Sequence, residues 1–141
     1  MEQSALFQQI VGLIAAIHRG THEMTSTVKP DDVTPLQYQM LEYIWLHPLV
    51  TLSEISDCLH ISMPNTSREL KKLTEKQLCE KIADNDDRRK SYIQLSPKGA
   101  ALMGQAFREL EAQFARQWAG ASPDELREIG QAVDVLRKIF P

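Results

Sequence analysis

The chain has 141 residues, 43% of them hydrophobic and 25% charged, a length and balance that predict one globular domain with its own core rather than a disordered or fibrous chain. No basic N-terminal region leads into an apolar run with a small-residue cleavage site, and no window approaches 18 uninterrupted apolar residues, so a soluble, cytoplasmic protein with no membrane partner is expected. The net charge of −3 argues against a nonspecific polyanion binder, yet residues 68–98 carry nine Lys and Arg against six Asp and Glu, a local +3 that leaves −6 on the rest; such an acidic body with a basic insert fits a protein that meets a polyanion with one face.

A first helix is predicted near 3–26, where Leu6, Ile10, Leu13, Ile14 and Ile17 form an apolar stripe at helical spacing. After a loop around Lys29-Pro30-Asp31-Asp32, "TPLQ" (34–37) and "TLSE" (51–54) each place a hydroxyl at the N-cap and Glu or Gln three residues later. These capping boxes open helices near 35–46 and 52–59. "LHIS" closes the second of these and offers Ser62 as the N-cap of a helix near 63–76, with Pro64 tolerated in its first turn. A hairpin is predicted near 79–95; in its second arm Ile93 and Leu95 share one side and Tyr92 and Gln94 the other, the period of a half-buried strand. "SPKG" (96–99) then starts a long helix near 97–118, and "SPDE" (122–125) a last one near 123–139. That final helix carries a second stripe, Leu126, Ile129, Val133, Leu136 and Phe140.

Residues 51–78 thus read as a short capped helix, a tight turn and a longer capped helix, which is helix-turn-helix spacing. On the second helix Thr66, Leu70, Leu73 and Gln77 share a face, and the leucines must look to the core. The opposite face holds Pro64, Asn65, Arg68 and Lys72, with Ser67 and Lys71 at its sides. This outward set suits DNA: Arg can grip guanine O6 and N7, Asn can read adenine, and Ser, Lys and the helix N-terminal amides can fix phosphates.

The hairpin that follows supplies a wing whose tip crowds Asp84, Asp86 and Asp87 against Arg88, Arg89 and Lys90. Basic residues there can enter a minor groove, and in an extended segment the Asp87 carboxylate can brace the Arg89 guanidinium from two residues away. A solvated hairpin with weak surface ion pairs is the plain alternative, much less favoured directly after a helix-turn-helix.

With these residues in view, the chain resembles the MarR family of winged-helix transcription regulators over nearly its whole length. The most specific part is "DRRKSYIQLSPKG" (87–99), similar to the family wing pattern of Asp, any residue, Arg, a strand ending in Leu-Thr/Ser and a Lys-Gly pair opening the next helix. Thr66 stands where the family usually has an aliphatic residue, and Gln77 replaces the usual glycine after "EK". The implied fold is mainly α with a small β-hairpin wing (α+β), a single 1–141 domain with dimerisation helices at 1–33 and 97–141 around a DNA-binding lobe at 34–96. The resemblance implies major-groove contacts from Asn65, Ser67 and Arg68 and a minor-groove Arg89. It also implies a homodimer joined through the two apolar stripes and a double-stranded, pseudo-palindromic operator. A repressor of its own or a neighbouring operon, released by a small, phenolic-type effector, would follow; the sequence does not fix the effector site. The rival reading is a winged helix used for protein contact without DNA.

Other residues invite weaker readings. His18 and His22 stand at i and i+4, but two ligands do not make a metal site, and neither metal nor cofactor is expected. Cys58, three residues after Ile55 on a short amphipathic helix, is expected to be a buried core thiol, and Cys79 begins the wing. No G-x-S-x-G, phosphate-cradling glycine loop or metal constellation points to an enzyme.

Overall fold

The computed structural model describes residues 2–87 and 89–140. Their order is α1 (Glu2–Val28), α2 (Pro35–Leu46), α3 (Leu52–Leu59), α4 (Met63–Glu75), β1 (Cys79–Ala83), β2 (Ser91–Leu95), α5 (Pro97–Gln117) and α6 (Pro123–Leu136). The expected mainly helical fold with one small hairpin is what the chain adopts.

The helix entries show why these boundaries were readable. At α2 the box is complete: Thr34 accepts from the Gln37 backbone N–H while Gln37 Oε1 accepts from that of Thr34. At α3 and α6 the hydroxyls of Thr51 and Ser122 accept from the N–H of Glu54 and Glu125, but each glutamate turns to the capping hydroxyl instead of reaching the N-cap amide. Ser62 caps α4 through the Asn65 N–H. In α4 Thr66, Leu70 and Leu73 are buried, and the Thr66 hydroxyl, polar where the resembled pattern is aliphatic, donates to the Ser62 carbonyl at 2.8 Å, so its burial leaves no open donor.

The chain divides into two compact units at Arg108/Glu109. In the first, β1 and β2 pair antiparallel from Cys79↔Leu95 to Ala83↔Ser91, and Val50 adds a bridge to Ile93 through bonds of 3.3 and 2.7 Å. The core gathers Tyr38, Leu41 and Ile44 of α2, Ile55 of α3, Leu70 and Leu73 of α4, Ile93 of β2 and Met103 of α5. The α4 helix and the hairpin are therefore fastened to one apolar nucleus. The second unit holds the end of α5 and all of α6, where Phe114 and Trp118 meet edge to face at 5.2 Å.

Cys58, expected to be a buried core thiol, is exposed, while Cys79 at the start of the hairpin is buried. On α3 the side facing the core is set by Leu52, Ile55, Ser56 and Leu59; at about 100° per residue, Cys58 lies roughly 60° from Ile55 on the side away from Ser56 and Leu59. Spacing of three from one core residue did not locate the centre of the buried arc. Cys79 is buried because it opens β1 beside Leu78, and burial pushes its thiol pKa up to about 12.

Candidate nucleic-acid interface

The turn between α3 and α4 sets how the second helix is offered. His60 ends α3 in the left-handed region at φ 54°, and Ser56 closes the corner: its hydroxyl donates to the Ile61 carbonyl at 2.6 Å while its carbonyl accepts the Ile61 N–H. Beyond the corner, Ser62, Pro64, Asn65, Ser67, Arg68, Lys71 and Lys72 are all exposed, opposite the buried Thr66, Leu70 and Leu73. The Arg68 guanidinium donates to Asn65 Oδ1, one turn back along the helix.

A polar chain that sequence reasoning missed ties this helix to α2. Gln37 is 2% exposed. Besides its capping bond, its Oε1 accepts from Lys76 Nζ at 3.2 Å, and its Nε2 donates to Glu69 Oε2 at 3.0 Å. The other Glu69 oxygen accepts from Lys72 Nζ at 3.1 Å. Lys76 also donates to the Asp32 carbonyl, and Lys29 to the Val33 carbonyl, so the loop before α2 joins the same chain. The Gln37 bond first, then the Lys72 bond and the nearby Lys72 and Arg68 charges, hold the Glu69 carboxyl below the usual carboxylate range against the opposing effect of burial. A signal was present: a glutamine that spends its oxygen on a cap still has an NH2 needing an acceptor if the helix start is buried.

At the wing tip the acids act on the backbone. Asp84 Oδ1 accepts from the Asp86 N–H and Asp87 Oδ1 from the Arg89 N–H, both at 2.9 Å. Main-chain bonds from Asp84 to the Lys90 carbonyl and from Lys90 to the Asp87 carbonyl, each 3.1 Å, close the loop. The Asp87 carboxylate thus fixes the peptide of Arg89, where the sequence suggested it would brace the guanidinium. Asp87 is half-buried, and Arg89 and Lys90 are exposed. Arg88 lies outside the described residues.

The base of the hairpin is equally fixed. Gln77 takes φ 63°, and Ser96 bridges the two ends: its hydroxyl donates to the Gln77 carbonyl at 2.5 Å and accepts the Gly99 N–H at 2.9 Å. Ser96 N–H donates to the Leu78 carbonyl at 3.0 Å. The "SPKG" stretch is therefore both a helix start and the clamp of the wing.

Residues 31–90, from the loop before α2 through α3 and α4 to the wing tip, match the model of the MarR family. Over that stretch the chain is similar to the MarR family. It is 29% identical over 115 residues to YhbI of Bacillus subtilis, an uncharacterised HTH-type transcriptional regulator, covering 81% of this chain and 72% of that one. Among solved structures, a MarR family protein from Bacillus stearothermophilus superposes with a TM-score of 0.78 at 16% identity over 99% of this chain and 96% of the other. FabT of Streptococcus pneumoniae, solved in complex with DNA, gives 0.72 at 21% identity over 95% and 96%. These likenesses extend the MarR fold beyond the matched segment to nearly the whole chain.

The other singled-out residues fall outside this surface. Leu6, Leu13, Ile14 and Ile17 on α1, and Leu126, Ile129, Val133 and Phe140 at the C-terminal end, are exposed, with Ile10 and Leu136 half-buried. Neither α1 nor α6 buries a single residue. His18 and His22 border a cavity of about 130 Å³ with Tyr38 and Glu42. Among the described residues no group of three or more His, Cys, Asp or Glu side chains is placed to hold a metal ion. No described helix is long and apolar enough to cross a membrane.

Proposed function

We propose that this chain is a MarR-family regulator, a cytoplasmic, homodimeric repressor that binds a pseudo-palindromic operator and leaves it when a small molecule binds. The observation that carries the reading is the juxtaposition of two fixed elements. α4 turns Asn65, Ser67, Arg68, Lys71 and Lys72 outward from a fully buried inner face, and a hairpin with the basic tip Arg89-Lys90 follows it directly. Side chains of that kind on a helix exposed along one face are fitted to base edges and phosphates of a major groove, and a basic tip to the minor groove beside it.

The apolar stripes of α1 and α6 support a dimer. Leu6 is 56% exposed and Val133 48% in the single chain, a cost that a partner's matching stripe would remove. Two α4 helices related by a two-fold axis would address half-sites about 34–36 Å apart. The cavity bordered by α1 and α2 offers one place for an effector, and such a ligand releases DNA only if it binds the lobe spacing that does not fit the operator better than the one that does.

Selection from a random duplex pool tests the reading. An enriched inverted repeat with half-site centres about 10–10.5 base pairs apart supports it; enrichment of nothing above a nonspecific background overturns it.

A further inference from the structure

We propose that Glu69 is a positioning residue for DNA recognition: held by the buried amide of Gln37, it locks the middle turn of α4 to α2 and sets where Lys72 meets phosphate. The inference deepens the DNA-binding reading and rests on it.

An acid on the outer half of a recognition helix is costly beside phosphates, so its presence asks for a reason. Glu69 could read cytosine through the N4 amino group, but it is not free to do so. One oxygen is bonded to Gln37 Nε2 and the other to Lys72 Nζ, at 3.0 and 3.1 Å. Its side chain is 19% exposed against 58% for that of Lys72, so Glu69 sits at the seam between the helices and Lys72 stands out from it.

Gln37 cannot easily move, being almost fully buried with its oxygen engaged by the Thr34 N–H and Lys76. Position is therefore passed outward from the cap of α2 through Gln37 to Glu69 and on to Lys72. Lys76 adds a second tie from the C-terminal end of α4 to the same amide. A lysine on a flexible stem is a nonspecific phosphate contact. One whose ammonium is held at a set place contributes most when the helix is in register with its site.

Glu69→Gln keeps size and an acceptor for Gln37 but removes the charge that holds Lys72. Binding of wild type, E69Q, K72M and the double variant to the selected operator and to a scrambled duplex, measured by anisotropy across a salt series, tests the assignment. For E69Q the affinity for the scrambled duplex should rise and the log–log salt slope steepen by about 0.9, one phosphate's worth, while operator preference falls roughly 2-fold or more. In the K72M background the same change should leave the slope unaltered.

Gln37→Glu separates the two links. It retains acceptors for the Thr34 N–H and Lys76 but sets a carboxylate against Glu69, so operator preference should fall with the slope unchanged. Unaltered slope and preference in E69Q, or a slope change that persists in K72M, would overturn the role of Glu69; wild-type preference in Q37E would overturn the link through Gln37. Absence of salt-dependent duplex binding by the wild type would instead remove the DNA-binding reading itself.

Discussion

A Cβ placed on Gly99 would fall 2.1 Å from the carbonyl oxygen of Leu78. That oxygen also accepts the Ser96 N–H, so it cannot retreat without opening the base of the wing. The glycine after "SPK" is required by this close approach of backbone to backbone, not by its own dihedral angle. Gly99→Ala should destabilise the fold by about 1–3 kcal/mol or more through overpacking, read as a lower urea midpoint at constant slope, and should weaken operator binding at temperatures where the protein is still folded.

His60 and Gln77 carry the two positive φ angles among described non-glycine residues, 54° and 63°. An L-residue held in that region costs roughly 1–2 kcal/mol, partly offset by the greater unfolded-state freedom of glycine. Gln77→Gly should therefore raise stability by up to about 1 kcal/mol in chemical denaturation. His60→Gly should do the same while leaving the α3–α4 corner intact, because Ser56 and Ile61 supply its bonds.

The thiols should separate cleanly. Cys58 is exposed and Cys79 buried, with its pKa raised to about 12, so a thiol reagent at pH 8 should label one site per native chain and two after denaturation. Cys58→Ser should abolish the native labelling.

Alkaline pH should weaken the fold through Cys79 and Tyr38. Burial first, with Glu42 adding to it, raises the Tyr38 phenol to about 12 as well. Unfolded thiols and phenols release protons near their ordinary 8.5 and 10 while the folded ones hold theirs, so the folded state binds more protons over that interval. Their contribution is complete below about pH 8.5 and is lost progressively as pH rises toward 12; urea midpoints measured between pH 8 and 11 should fall.

The exposed stripe of α1 sets a prediction about assembly. Ile14→Asp would place a carboxylate in the middle of it and should shift sedimentation from dimer toward monomer. Because α1 buries no residue within the chain, the monomer should keep the core of the first unit and its far-ultraviolet helix signal.

Much of this was legible because local chemistry and global packing agree. Thr34, Thr51, Ser62 and Ser122 announce helix starts that the structure keeps, and Leu70 and Leu73 mark the inner face of α4 from which its outer face follows. The misses have a shared cause: they depend on which residues from distant parts of the chain arrive at one place. Gln37 and Glu69 are 32 residues apart, and no periodicity joins them. Cys58 was misplaced because one neighbour fixes a helix face only within a wide arc. At the wing, the acids were seen but their partners were side chains in the sequence reading and backbone amides in the structure, since an Asx turn satisfies two-residue spacing as well as an ion pair does.

Titration of the purified protein against the duplex upstream of its own gene and a scrambled duplex, by fluorescence anisotropy at two salt concentrations, tests the central claim most directly. Tight, salt-sensitive preference for the upstream duplex at two chains per site is the expected result, reduced by about 1–3 kcal/mol in Arg68→Ala and weakened on every sequence in Arg89→Ala. Equal affinity of wild type and both variants for both duplexes, or no binding to either, would contradict it.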